Sequence, residues 1–369
     1  MLRSTSVALV ATIILLSATA FAGTYVVGTC KPNLPFFDYI QEAVSSVPPG
    51  STILVCPGTY AEQVVISRPL KLEGLAGESD AVIVSPQGGL TKSAQRANFF
   101  RVYYQILVKN TAGPVEISNL AVDGTGGALK NQNVAGILYL DASGTVSNVS
   151  ARNEPAFGTG IFAATAGARA ETVTIQDSMV RGLDGSGGYG IVVYRAGGAL
   201  TANVTGNTIR QTNNLGPTGY GSGIQALKTT GLIQSNTIVG TGYGLYLSDS
   251  SMAVTGNTIS TVIIGVDLLS GSNTVKNNRI DAGGAMGITL DDQGTGTVVQ
   301  GNTIENSSVA VYGCGDGYGF GYSTGFTVTG NTILDATTGM QMPPYPNGNV
   351  TAPNTYYATG AAVSAQPCN

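Results

Sequence analysis

Histidine and tryptophan are both absent from this chain of 369 residues. Without histidine there is no Ser-His-Asp or Cys-His nucleophilic triad, no histidine general base and no histidine-ligated zinc. Charge is scarce too. Lys and Arg number 17 and Asp and Glu 21, together 10% of the residues, against about 25% in an ordinary soluble protein. So little charge argues against helix bundles and coiled coils. A net charge of −4 with no basic run along the sequence leaves no electrostatic footprint for nucleic acid. What is abundant is glycine, at 52 positions, and apolar residues, at 43%, a composition that argues against disorder.

The first residues read as a targeting signal. Arg3 is followed by an apolar stretch, Val7 to Leu16, too short to span a bilayer, and then by Ala20-Phe21-Ala22, a small-x-small cleavage pattern. Cleavage near Ala22 is expected, giving a secreted or periplasmic protein. No later stretch has the length and apolarity of a membrane span. Export makes the four cysteines readable as disulfides. Four cysteines allow three pairings. Cys30 and Cys56 lie near one end and Cys314 and Cys368 near the other, so the expectation is local pairing, one bond at each end.

One phrase recurs along the chain: VTGNTI at 204–209, IQSNTI at 233–238, VTGNTI at 254–259, VKNNRI at 275–280, VQGNTI at 299–304 and VTGNTI at 328–333. Anchored on the first apolar residue, the series extends upstream to Ile117, Val146 and Ile175, with spacings of 29, 29, 29, 29, 21, 21, 24 and 29 residues. Between most anchors stands a glycine followed by alternating apolar residues, as in Gly223-Ile224, Gly244-Leu245 and Gly287-Ile288. Each repeat therefore holds three short strands of period two separated by turns. Three strands in a 21-residue coil is the arithmetic of a β-helix, whose coils stack as parallel strands and fold as one unit. Asn207, Asn236, Asn257, Asn278, Asn302 and Asn331 each follow their anchor by three residues. Asparagine tolerates the left-handed backbone of a turn, and amides stacked rung on rung can form a hydrogen-bonded ladder. Their expected role is structural, as is that of the aligned threonines 208, 237, 258, 303 and 332.

The segment GLYLSDSSMAVTGNTIST (244–261) and the start FDYIQEAVSSVPPGSTILVCPGTYAEQVVISRPLKLEGLAG (37–77) resemble the right-handed parallel β-helix proteins of the pectate-lyase-like group. The resemblance runs from about residue 36 to 342. It implies an all-β, single-stranded right-handed solenoid of about ten coils with a short N-terminal helix, whose apolar face (Ile40, Ala43, Val44, Val47) closes the open end of the stack. The expected organisation is a signal peptide over 1–22, an N-terminal cap and first coil over 23–80, the β-helix over 81–342 and a C-terminal tail or cap over 343–369. The group includes lyases, hydrolases, epimerases, tailspikes and non-enzymes, so the resemblance speaks for fold and not for one activity.

Candidate chemistry falls on the outward positions of the Gly-Ile strands. Two residues after the glycine the column runs Leu138, Phe162, Val192, Gln225, Tyr246, Asp267, Thr289. Further along the strands lie Tyr194, Arg195, Lys228, Asp249, Asp291 and Asp292. The early half is apolar outside, and a covering of loops or tail is expected there. The later half carries tyrosines, cations and carboxylates, as a polysaccharide groove would. Tyr220 and Tyr243 each precede a glycine at the edge of this sheet, where a ring can stack on a sugar or pack on a neighbouring loop. Asp267 and Asp291 should stand on adjacent coils about 8 Å apart, within the roughly 6.5–9.5 Å of inverting glycosidases. The order Asp267 then Asp291-Asp292 is similar to that of polygalacturonases, whose Gly-His-Gly has no counterpart in a chain lacking histidine. A lyase would instead use Arg195 or Lys228 as base with Ca²⁺ on the aspartates. The reading is a secreted monomer that contacts polysaccharide along this sheet, as a hydrolase or lyase if it is an enzyme. The alternative is a non-catalytic structural or adhesive solenoid whose outward aspartates are merely solvated.

Overall fold

A computed structural model describes residues 21–75, 80–96, 99–126, 133–153, 158–182, 187–211, 221–291, 296–314, 324–342 and 348–363. Each coil contributes a strand to three faces. The first face carries the anchor strands, the second the Asn-Thr-Ile strands and the third the Gly-Ile strands. Neighbouring coils pair in parallel, with a register irregularity between Val239 and Tyr243, around the buried Thr241. On the first face Ile53, Leu72, Ile117, Val146, Ile175, Val204, Ile233, Val254, Val275, Val299 and Val328 form one column. On the third, Ile137, Ile161, Ile191, Ile224, Leu245, Val266, Ile288 and Val311 form another. All of these side chains are fully buried. At roughly 25 cal/mol per Å² of apolar surface, such rows hold the stack together, and no coil can bury its own face alone.

The asparagine ladder is present, and from Asn207 to Asn331 it is buried. The amide N–H of each residue donates to the Oδ1 of the asparagine on the next coil, from Asn207 to Asn236, Asn257, Asn278, Asn302, Asn331 and Asn354, at 2.9 to 3.0 Å. Each Nδ2 also bonds a neighbouring backbone carbonyl. The expected reason for asparagine needs correction, however. The left-handed backbone belongs to the residue before it, Gly206, Ser235, Gly256, Asn277, Gly301 or Gly330. That residue reverses the chain, and the reversal turns the following side chain inward. Earlier coils fill the same inward position with Leu120 and Val149.

The N-terminal end is closed as expected. The helix Ile40–Ser46 buries Ile40, Ala43 and Val44 against the first coils. Its first residue has no side-chain cap of its own. Glu62, from the coil below, accepts the N–H groups of Ile40 at 2.9 Å and Gln41 at 2.8 Å, placing a carboxylate where the helix dipole favours it. Cys30 and Cys56 form a disulfide beside this cap, as suits an extracellular or periplasmic protein. Cys314 carries no free thiol, and its expected partner Cys368 lies outside the described residues, as does the signal segment before Phe21. Among the described residues no helix is long and apolar enough to cross a membrane.

At Gly190, Gly223, Gly244, Gly265 and Gly287, each just before an inward third-face residue, a packed side chain leaves no room for a Cβ. A Cβ on Gly244 would collide with the Ile259 side chain and the Gly265 carbonyl oxygen. Gly244→Ala should therefore lower stability by about 2 kcal/mol through overpacking, read as a fall in urea midpoint at unchanged slope.

Candidate functional site

The outward column of the third face follows the expected order, with Leu138, Phe162, Val192, Gln225, Tyr246, Asp267 and Thr289 paired rung to rung. Its early part is covered, and the cover is a hairpin. Strands Ser93–Arg96 and Phe99–Lys109 pair antiparallel. The second half of the longer strand is itself a rung of the third face, Ile106 pairing with Ile137 and Leu107 with Leu138. The hairpin brings Ala94, Val102 and Tyr104 into a second small core with Leu107, Leu138 and Phe162. Gln63 fixes the approach to the hairpin. Its Nε2 donates to the Tyr104 carbonyl at 2.7 Å, and its Oε1 accepts the Thr91 and Lys92 N–H groups.

Where the hairpin stops, a groove of about 300 Å³ opens. Phe100 and Val102 form its wall, Phe162, Val192 and Gln225 its floor, and Tyr189, Tyr194 and Leu227 its flanks. The rings of Phe100 and Phe162 lie 5.9 Å apart. One coil beyond the groove floor, Tyr246 continues the column from Gln225 and meets Tyr243 edge-on at 6.2 Å. Burial raises the Tyr246 pKa, and the negative charges of Asp267 and Asp249 and the neighbouring Tyr243 and Tyr189 add to the rise. The hydroxyl thus stays protonated at neutral pH, able to donate as well as accept.

Asp267 is outward by parity yet only 8% exposed. Its Oδ1 accepts a hydrogen bond from Thr289 Oγ1 at 2.6 Å. The expected alternative, a freely solvated surface aspartate, does not describe it. Asp291 lies on the next coil and two residues further along, since Asp267 pairs with Thr289 and Leu269 with Asp291. That register is the one the strand-geometry expectation assumed.

The remaining candidates spread out. Tyr194 lines the groove, half-buried. Lys228 follows the end of its strand at Leu227, and Asp249 lies within the long strand Thr237–Thr255, yet neither extends the outward column. They sit at a corner of the coil, with φ of 58° and 50°, both exposed, and the Asp249 carboxylate is hydrogen-bonded by Ser270 Oγ at 2.5 Å. Arg195 is exposed, its Nε directed to the Gly197 carbonyl at 3.4 Å. Tyr220 and Asp292 lie outside the described residues. Among the described residues no three acidic or cysteine side chains converge to hold a metal ion. The wall residues Phe100 and Val102 were missed from sequence. Their signal was the run FFRVYYQILV at 99–108, too long for a single rung of this helix.

The sequence matches the family described as a right handed beta helix region over residues 135–312 and 222–355, together more than half of the chain. No curated protein matches it. Among solved structures, it is similar to a GH136 lacto-N-biosidase from Eubacterium ramulus (TM-score 0.61, 11% identity, covering 91% of this chain and 68% of that one). It is also similar to a PL6 alginate lyase in complex with a trisaccharide (TM-score 0.55, 11% identity, 95% and 90%). A third is the A-module of the Azotobacter vinelandii mannuronan C-5 epimerase AlgE4 (TM-score 0.54, 16% identity, 89% and 91%). At these identities the likeness establishes the coil architecture and leaves the chemistry to the site.

Proposed function

Because the chain belongs to the right-handed β-helix family, we propose that it is an exported glycan-binding protein that holds a polysaccharide segment in the groove of its third face. One observation carries this reading. An apolar and aromatic concavity, Phe100 to Val192, runs directly into the polar column Gln225, Tyr246, Asp267. Sugars need that combination: ring faces against aromatic and aliphatic surface, hydroxyls against a few fixed donors and acceptors. The saccharide-processing proteins that share the fold make glycans the first ligands to test.

The test is a glycan array with and without Ca²⁺, followed by calorimetry of each hit against Tyr246→Ala. The variant should bind about tenfold more weakly while melting at the wild-type temperature. A protein that binds no glycan, or a variant that binds as well as wild type, would sink the reading. A second reading, hydrolysis within the groove, is favoured by the register of Asp267 and Asp291, whose spacing suits an acid and a base with room for water between them.

A further inference from the structure

Outside the groove, the second face holds a column that no sequence run announces. Asp123, Arg152, Arg181 and Arg210 pair rung to rung in one outward row. Three of the chain's ten arginines therefore stand one above another in a protein of net charge −4, separated by about 4.8 Å. Like charges set directly opposite on neighbouring strands repel, so the row opposes folding unless something neutralises it.

At one end the neutralising group is internal. The Asp123 carboxylate accepts Arg152 Nε at 2.8 Å, Thr125 Oγ1 at 2.6 Å, the Thr125 N–H at 3.0 Å and Asn153 Nδ2 at 3.1 Å. Burial alone would raise its pKa, but these bonds outweigh burial and lower it to about 2, so it remains a fixed counter-charge to Arg152. Among the described residues nothing comparable faces the other two. Arg181 and Arg210 are exposed, and among the described residues neither guanidinium has a hydrogen bond or ion pair. The next residue of the row is Val239, which adds no charge. Asp123, Arg152, Asn153, Arg181 and Gly182 border an open concavity of about 340 Å³.

We propose that this arginine row is a second glycan subsite, specific for acidic sugars, in which Arg181 and Arg210 pair with the carboxylates of successive uronic-acid residues. A guanidinium offers a planar fork that matches a carboxylate. The rung spacing is comparable to the length of one pyranose residue, so a chain lying along the helix axis presents its charges in step with the coils. An isolated small anion gains nothing from that repeat.

The experiment is calorimetry of the full-length mature protein at fixed low ionic strength, with trigalacturonate, neutral maltotriose and inorganic sulfate as probes. Trigalacturonate should bind, and Arg181→Gln with Arg210→Gln should weaken it about tenfold or more. Added salt should weaken wild-type binding as well. Lys31→Gln, which removes an exposed cation near the N-terminal end of the stack, should leave this binding unchanged, which separates the row from surface charge alone. The double variant should melt at or above the wild-type temperature, because it removes repulsion. The proposal fails if the double variant binds trigalacturonate as wild type does, if no trigalacturonate binds at low millimolar concentration, or if sulfate binds as tightly as the trisaccharide, the mark of an adventitious ion only.

Discussion

Asn257→Ala should destabilise the protein by about 3–5 kcal/mol, read from chemical denaturation. The side chain stands in the middle of the ladder and is almost wholly buried. Its Oδ1 accepts both the N–H and the Nδ2 of Asn236, at 2.9 and 3.0 Å. Its Nδ2 donates to the Ile233 carbonyl at 3.0 Å and to Asn278 Oδ1 at 2.8 Å. Alanine removes all four bonds, each worth about 0.5–1.5 kcal/mol net, and takes the acceptor from the buried Asn236 N–H, at about 1–3 kcal/mol more. Asn236 Nδ2 and Asn278 Oδ1 keep one partner each, the Val204 carbonyl and the Asn257 N–H. Asn257→Asp offers a sharper comparison. It keeps the acceptor toward Asn236, loses the donors, and introduces a buried charge, so it should fare no better than alanine. Because each coil is held by its neighbours, the loss should spread to adjacent coils, and hydrogen exchange should accelerate first at residues 230–280. A midpoint within experimental error of wild type would mean that the inward columns alone hold the stack and that the ladder only follows the turn.

The columns were legible because the repeat phrase fixes two periods at once, the coil length and the alternation within each strand. Val204 and Val254 can be placed in one row without coordinates, and so can Tyr246 and Asp267. The same arithmetic contained the arginine row: Arg152, Arg181 and Arg210 are spaced by 29 residues, which is the coil length in that region. No basic run marks it, because this fold builds its clusters across the chain and not along it. Other features were beyond such counting. Lys228 was counted outward along its strand, but the strand ends at Leu227 and Lys228 turns the corner. The hairpin of strands Ser93–Arg96 and Phe99–Lys109 precedes the regular repeats, and its longer strand serves both as a rung of the third face and as an arm of the hairpin, which no repeat pattern announces. The burial of Asp267 is likewise a tertiary property, since parity states which way a side chain points and not what lies over it.

Asp267→Asn should reduce glycan cleavage by about a hundredfold or more while leaving ligand affinity nearly intact. The expectation rests on placement. Asp267 extends the floor of the groove by way of Gln225 and Tyr246, and Asp291 stands one coil on and two residues along. In an inverting hydrolase one carboxyl protonates the leaving oxygen and the other draws a proton from water on the opposite side of the sugar ring. Asparagine keeps the size of the side chain and can no longer transfer the proton, so whichever role Asp267 has is lost. Asp291→Asn should then cost a similar factor, and the two changes together little more than either alone, because the carboxyls act as a unit. Thr289→Val provides the intermediate case. It removes the 2.6 Å hydrogen bond to Asp267 without touching the carboxyl, so turnover should fall less and its pH profile should shift. Each variant is assayed for new reducing ends on every glycan that binds, beside a calorimetric affinity. If affinity collapses with turnover unmeasurable in wild type, Asp267 is a binding group and the solenoid is not a hydrolase. If neither quantity changes, the polar end of the column has no part in glycan recognition, and the groove ends at Tyr246.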